Sequence, residues 1–285
     1  MTIEEKYNLE LRSGDLGTGH NPELAKFTTT IWAESVRMEL MKIEASEVGG
    51  LLLRSIKWHA KRVIIYPYVL AACNGTAAPA ILNPSSGLPI YSILHVSPSR
   101  YWEGSTCAKK VKDQGGVVGE SHELLFHELV HAFRHVSRAQ EDDDVQSSPL
   151  AGGLLGYRNS EEFIAVLVTN IYASANGKKG LRAGHRDHRV MPDELEGSFK
   201  FFQVSSRAFE RVDAFCQSNK GFCRALAKIK APFNPIRAIR TDRDKARRMS
   251  DSARARHRDV MGDLLVDVAH VLPLIGIKDL ESLMK

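Results

Sequence analysis

Apolar positions divide the chain into a β-rich stretch with helical stretches on both sides. In residues 22–46 and 117–137, apolar side chains recur every three or four positions, which predicts amphipathic helices. Short apolar runs separated by Gly, Pro, Asn and Ser predict strands at 51–58, 62–70 and 89–97. The pattern therefore predicts an α+β fold, mostly helical, with a small mixed β-sheet that precedes the helix at 117–137.

Local signals refine the ends of these elements. Asn21 and Pro22 suit the cap and the first position of the first helix, and Gly49–Gly50 are expected to stop it. A further helix is expected to start at Asn159, a good N-cap, and to run to Tyr172. Beyond residue 190 the helical period returns, and we expect helices at 192–217, 221–230, 239–262 and 263–284.

Charge is concentrated near the C-terminal end of the chain. The formal net charge is +5, and residues 237–258 hold nine Arg or Lys against three Asp. Such a segment is typical of a solvated helix, or of one that binds nucleic acid, acidic lipid or an acidic partner. It lacks interleaved aromatic residues and any nucleic-acid motif. Nucleic acid is therefore not the favoured partner.

Targeting signals and cysteine spacing bear on the compartment. The first fifteen residues have neither a basic nor an apolar region of the signal-peptide kind, and no run of about eighteen apolar residues occurs. We expect no membrane span, and a protein that is cytoplasmic or secreted without a cleavable signal peptide. Four cysteines form no C-x-x-C pair, and Cys216 and Cys223 are either bonded to each other or reduced.

The run from His127 to His131 reads H-E-L-V-H and is the main candidate for chemistry. Two histidines four positions apart lie about one turn apart on one face of a helix and can bind one Zn²⁺ together. Glu128 between them then stands beside the open coordination position as a general base. The alternative is an amphipathic helix with two core-facing histidines.

Neighbouring histidines do not extend this motif. His122 precedes His127 by five residues, a rotation of about 140° that separates the two imidazoles. His135 lies one further turn along the stripe from His131. It is either a supporting partner of the site or an ordinary core or surface histidine. The longer H-E-x-x-H-x-x-G-x-x-H pattern would need glycine at Arg134 and histidine at Ser137. A third protein ligand must therefore come from another segment.

A carboxylate from the helix that begins near Asn159 is the natural third ligand, because two histidines, a glutamate and water form a known catalytic zinc set. Glu161 and Glu162 both stand in its first turn. Negative charge is also favoured there by the helix dipole alone. From the residues themselves, the choice between these two glutamates stays open.

The segment Glu162-Phe163-Ile164-Ala165 resembles the E-F-F-A segment of gluzincin-type zinc peptidases, including the lethal-factor-like ones. The resemblance implies that Glu162 is the third zinc ligand. The family often has another acid four positions later, where this chain has Val166. The longer stretch 161–188 and the segment Phe233–Arg237 resemble bacterial zinc-peptidase-like effector or toxin domains, some of them associated with type VI secretion or contact-dependent systems.

This resemblance covers roughly residues 120–237 and implies an architecture. We expect a single zincin-like catalytic domain over 1–285, with a core motif region at 117–190 and a helical C-terminal part at 191–285. By analogy with zincins, residues 91–97 are expected to form an edge strand that binds extended substrate, the alternative being a buried strand. A secretion-system component or an immunity protein is the implied partner, beside a protein or peptide substrate.

The oxyanion of such a reaction needs a donor beside the metal. Tyr157, just before the second motif helix, and His185 or His188 after it are the candidates. In the lethal-factor-like proteins a tyrosine precedes the ligand glutamate by seven residues. Leu155 has that position here, so the resemblance does not decide for Tyr157. His185 is slightly favoured, within the resembling Leu181–His185 segment.

The hypothesis that follows is a zinc-dependent peptidase with one Zn²⁺ per chain, which the resemblance implies to be a bacterial effector or toxin. Two alternatives belong to other classes. One is a zinc amide hydrolase that acts on a cell-wall or other non-protein substrate. The other is a nucleic-acid-binding module that uses the basic helix 239–262.

Overall fold

The structure is a computed structural model, and all structural statements below concern the residues it describes. These residues fall into eleven ranges: 1–12, 22–68, 76–82, 89–97, 105–113, 119–137, 159–184, 190–192, 197–203, 207–253 and 255.

Helices and short strands alternate in the first third of the described chain, and helices follow. The strands are β1 (Leu9–Leu11), β2 (Arg62–Tyr66), β3 (Thr76–Leu82) and β4 (Pro89–His95). The helices are α1 (Ile3–Tyr7), α2 (Pro22–Ala45), α3 (Glu47–Trp58), α4 (Thr106–Asp113), α5 (Ser121–Ser137), α6 (Ser160–Ala175), α7 (Ala208–Ser218), α8 (Lys220–Leu226) and α9 (Pro235–Thr241). A 3₁₀ turn at Lys200–Gln203 precedes α7, and residues 243–253 are helical.

The four strands form one mixed sheet in the order β1-β2-β4-β3. The β1–β2 and β2–β4 pairs are parallel, and the β3–β4 pair is antiparallel. This confirms the predicted α+β class and the small mixed sheet ahead of the histidine-bearing helix. The edge-strand prediction for residues 91–97 is wrong, because β4 lies between β2 and β3. Alternating burial marks the face of a strand that meets the core, and it does not distinguish an inner strand from an edge strand.

Residues 51–58, predicted as a strand, belong to the helix α3. Ser46 ends the preceding α2 and caps α3, because its hydroxyl accepts a hydrogen bond from the Gly49 amide at 2.9 Å. Gly49 is required where the two helices meet, since a Cβ atom there would lie 1.8 Å from the Ile43 carbonyl oxygen. The glycine pair thus permits a close approach of two helices and does not stop the first one. The buried side chains recur at helical spacing: Val48, Leu52, Leu53 and Ile56.

The predicted long helix at 192–217 is also wrong. Within that range, the described residues form a 3₁₀ turn at Lys200–Gln203 and the start of α7 at Ala208. Phe201 and Phe202 of the 3₁₀ turn are both buried, so this short turn contributes to the core without continuing into a long helix. Helix α8 corresponds to the predicted 221–230, and the prediction for 263–284 lies outside the described residues.

Helix α5 is the centre of the core. It packs against α2, α3, α6 and the strands β3 and β4. Fourteen of its 17 residues are buried, so it is enclosed on nearly every side. Polar side chains on this helix must therefore find partners inside the protein. The buried polar residues are Ser121, Glu123, His127, Glu128, His131, Arg134 and His135.

The described helices include none that is both long and apolar enough to cross a lipid bilayer.

Cys216 and Cys223 are free thiols in this structure, so they are not joined in the disulfide that their spacing would permit.

His135 contacts a polar side chain of the sheet. Its Nδ1 lies 2.9 Å from the hydroxyl oxygen of Ser92 on β4, and both residues are buried. Burial lowers the pKa of His135 to about 3, and the charges of His131 and Arg134 act in the same direction. It is therefore a core histidine that joins α5 to the sheet.

This histidine makes the free energy of unfolding depend on pH. The unfolded chain binds a proton on His135 below its ordinary pKa of about 6.5, whereas the folded chain does not until near pH 3. Its contribution is complete above pH 6.5 and is lost as the pH falls toward 3. Between pH 7 and pH 5.5, we expect His135 to account for a loss of about 1 kcal/mol.

Urea unfolding of the metal-free protein across this range measures the effect. His135→Asn is expected to be less stable at pH 7 but to lose about 1 kcal/mol less on going to pH 5.5. Equal losses in the two proteins would show that His135 is not the group responsible.

Candidate metal centre

The two motif histidines meet at the surface of α5 that faces α6. His127 and His131 lie one turn apart, and their Nε2 atoms are 3.2 Å from each other. The two rings are nearly perpendicular, with centroids 4.9 Å apart. Both side chains are almost completely buried, so the two nitrogens converge on one point inside the protein.

Helix α6 brings a carboxylate to that point. Asn159 caps the helix as predicted, because its side-chain oxygen accepts a hydrogen bond from the Glu162 amide at 2.9 Å. The cap fixes the start of α6, and the first turn of this helix faces the histidines. Glu162 Oε2 lies 3.3 Å from the Nε2 atom of His127 and 3.2 Å from that of His131.

These three atoms form a nearly equilateral triangle with the dimensions of one face of a zinc tetrahedron. Zinc binds imidazole nitrogen and carboxylate oxygen at about 2.0–2.2 Å, which places tetrahedral ligands about 3.3–3.5 Å apart. The observed edges are 3.2, 3.2 and 3.3 Å. His127, His131 and Glu162 can therefore hold a metal ion, and theirs is the only such group among the described residues.

The neighbouring glutamate has a different partner. Glu161 accepts two hydrogen bonds from the guanidinium group of Arg134, each 2.5 Å long, and both side chains are buried. The two carboxylates that the sequence left open are therefore separated by the fold. Glu162 lies at the histidines, and Glu161 lies at Arg134.

Charge is distributed unevenly within the triangle. Burial raises the pKa of Glu162, but hydrogen bonds with His127 and His131 outweigh it, and the net pKa is well below the ordinary value. Burial lowers the pKa of His127 to about 3, whereas hydrogen bonding and proximity to Glu162 raise the pKa of His131 despite its burial. An ionised carboxylate and a neutral His127 are the forms that a metal ion requires.

Glu128 is the third polar residue of the motif and is 4% exposed. Burial raises its pKa to about 7, against the opposing charges of His131 and Arg182. A carboxyl group with this pKa is populated in both protonation states near neutral pH. It can therefore both accept and release a proton, as general acid–base chemistry requires.

The other candidate residues either have different partners or lie outside the described residues. Tyr157, His185 and His188 lie outside the described residues, so their predicted oxyanion role stays a prediction. His122 bonds instead to Glu120 and to the hydroxyl of Tyr172, at 2.8 and 2.9 Å. His135 lies against Ser92, one turn beyond His131.

Two arginines near the site were not assigned a role from the sequence. Arg134 follows His131 by three residues and so lies on the same helix face, which was a usable signal. Arg182 is held by Asn170 of α6, whose amide group bonds the Arg182 carbonyl oxygen and amide at 2.8 and 3.1 Å. Its charge lowers the pKa of both Glu128 and His127. No sequence spacing relates Arg182 to the motif.

The basic C-terminal segment uses several of its charges internally. Arg243 donates to Asp213 at 2.6 Å, and its guanidinium group lies over the Phe209 ring, as does that of Arg247. Lys245 lies 4.5 Å from the centre of the Phe199 ring. These side chains are exposed, and the predicted alternative of a nucleic-acid-binding surface stays a prediction.

Comparisons of the chain with protein-family models, curated proteins and solved structures give no match. Function is therefore inferred from the geometry of the site and from the residues that form it.

Proposed function

We propose that this chain is a zinc-dependent peptidase that acts as a bacterial effector or toxin. The triangle formed by His127, His131 and Glu162 is the observation that carries the proposal. Its edges suit tetrahedral zinc, and a glutamate with a raised pKa is adjacent to its first histidine. The role as an effector or toxin rests on the resemblance of residues 161–188 and 233–237 to such domains.

Three side chains would hold the metal, leaving a fourth position for water or substrate. When bound, zinc would polarise a carbonyl group and make a water molecule more acidic. His127 and Glu162 already have the protonation states that binding requires, whereas His131, whose pKa Glu162 raises, would release its proton.

Glu128 would act as the general base and then as the general acid. As a carboxylate, it accepts a proton from the attacking water, and as a carboxylic acid it delivers that proton to the leaving amine. Its burial supports this cycle because it raises the pKa of the carboxyl group to about 7. Tyr157 or His185 remains the proposed donor to the oxyanion.

Metal removal tests the proposal. The purified protein is expected to contain about one zinc per chain and to cleave members of a peptide library. Dialysis against a chelator should abolish cleavage, and one equivalent of zinc should restore it, because no other described residue cluster can take over the role.

Two other outcomes have clear meanings. Cleavage of muropeptides with no cleavage of peptides would replace the peptidase by an amide hydrolase of the cell wall. Failure to bind zinc at micromolar concentrations would overturn the proposed function altogether.

A further inference from the structure

The buried ion pair of Arg134 and Glu161 adjoins the candidate metal centre on both of its helices. Arg134 follows the ligand His131 on α5, and Glu161 precedes the ligand Glu162 on α6. The Arg134 side chain is 1% exposed and that of Glu161 is 8% exposed. Arg134 also lies over the ring of Phe215, with its guanidinium carbon 5.2 Å from the ring centre.

Stability alone does not account for this pair. Removing two charges from water costs free energy, and apolar side chains of similar volume often stabilise a core equally well or better. The apolar ring of Phe215 already packs against Arg134, and apolar side chains in place of the pair would extend that contact. The structural role of the pair therefore lies in the geometry of the site.

This geometry depends on how α6 is rotated about its own axis. Successive residues on a helix are about 100° apart around its axis, so Glu161 and Glu162 present two chemically equivalent carboxylates in different directions. On α5, His127, His131 and Arg134 share one face, because they are spaced by four and three residues. Glu161 is held by Arg134, and this leaves Glu162 at the histidines.

We propose that Arg134 and Glu161 are a positioning pair that selects Glu162 as the metal ligand. The pair fixes the rotation of the first turn of α6 and neutralises the carboxylate that would otherwise compete for the metal ion. Phe215 of α7 supports the guanidinium group from its open face. This inference rests on the proposed function, because it concerns the same metal site.

An apolar replacement of the whole pair separates positioning from stability. In Arg134→Met/Glu161→Leu neither charge of the pair is left without its partner, so the metal-free protein should melt within a few degrees of the wild type. Its dissociation constant for Co²⁺ or Zn²⁺ should nevertheless rise about 10- to 100-fold, the usual effect of losing a group that orients a metal ligand. The visible spectrum of bound Co²⁺ should change as well, because the position of Glu162 changes.

The control is another ion pair between two helices, neither of which carries a candidate metal ligand. Arg37 donates to Glu4 at 2.7 Å, between α2 and α1. Arg37→Met/Glu4→Leu should leave both the metal affinity and the Co²⁺ spectrum as in the wild type.

Arg134→Lys is a second test variant, because it retains the buried charge but not the bidentate contact with Glu161. It should fold and bind Co²⁺ several-fold more weakly, with an altered spectrum.

The results separate two failures. If the wild type binds no Co²⁺ or Zn²⁺, the proposed function is overturned and the positioning role with it. If the wild type binds tightly and Arg134→Lys matches it in affinity and spectrum, the positioning role alone is overturned, whether or not the apolar double variant folds.

Discussion

Glu128→Gln is expected to reduce peptide cleavage about 10²- to 10⁴-fold while zinc content stays near one per chain. The amide has nearly the same shape as the carboxyl group but neither accepts nor releases the proton. The three candidate ligands are unchanged by this substitution, since Glu128 contributes no atom to the triangle. The measurements are kcat/KM on one identified peptide, together with metal analysis of the same sample.

The control for this experiment is Glu120→Gln. Glu120 precedes α5, and its side chain is 69% exposed, so its charge can be removed without disturbing the core. It should retain cleavage within about twofold of the wild type. If Glu128→Gln cleaves as fast as the control, Glu128 is not the general base, and another group must move the proton.

Glu162→Gln is expected to weaken metal binding by more than about 100-fold, because even residues that only orient a ligand cost 10- to 100-fold. Gln retains the size of the side chain but loses the negative charge that both histidines contact at 3.2–3.3 Å. Cleavage should be lost with the metal at limiting zinc concentrations. Competition of the protein with a chromophoric chelator measures the dissociation constant.

Several outcomes are informative for this second variant. Glu120→Gln, again the control, should bind metal as the wild type does. Restoration of cleavage in Glu162→Gln by excess zinc would show that the carboxylate acts mainly in affinity. Unchanged affinity in Glu162→Gln would mean that the triangle is not the metal site, even if the protein contains zinc.

Local spacing was sufficient for the parts of the site that lie on one helix. His127 and His131 converge because residues four apart on a helix share a face, and this holds wherever the helix packs. The cap at Asn159 was readable for a similar reason, since its side chain bonds to the backbone three residues later. The α+β class likewise followed from the apolar runs, of which 62–70 and 89–97 contain β2 and β4, whereas β1 and β3 were not predicted.

The predictions that are wrong concern local patterns that are compatible with two different structures. Gly49 can end a helix, but here it allows α2 and α3 to approach closely at Ile43. The apolar run at 51–58 is compatible with a strand or with a buried helix, and the cap at Ser46 and contacts in the core select the helix. The alternation in β4 reports a buried face, and only pairing with β2 and β3 shows that the strand is internal.

The sequence by itself determined the motif, the helix that bears it and a pair of glutamates as candidate ligands. Only the tertiary structure decided between those glutamates, by placing Glu161 at Arg134 and Glu162 at the histidines. It also placed Glu128 in an environment whose burial raises its pKa to about 7. The physical reason is that ligand convergence and desolvation depend on distances between segments about thirty residues apart, which spacing along one helix does not contain.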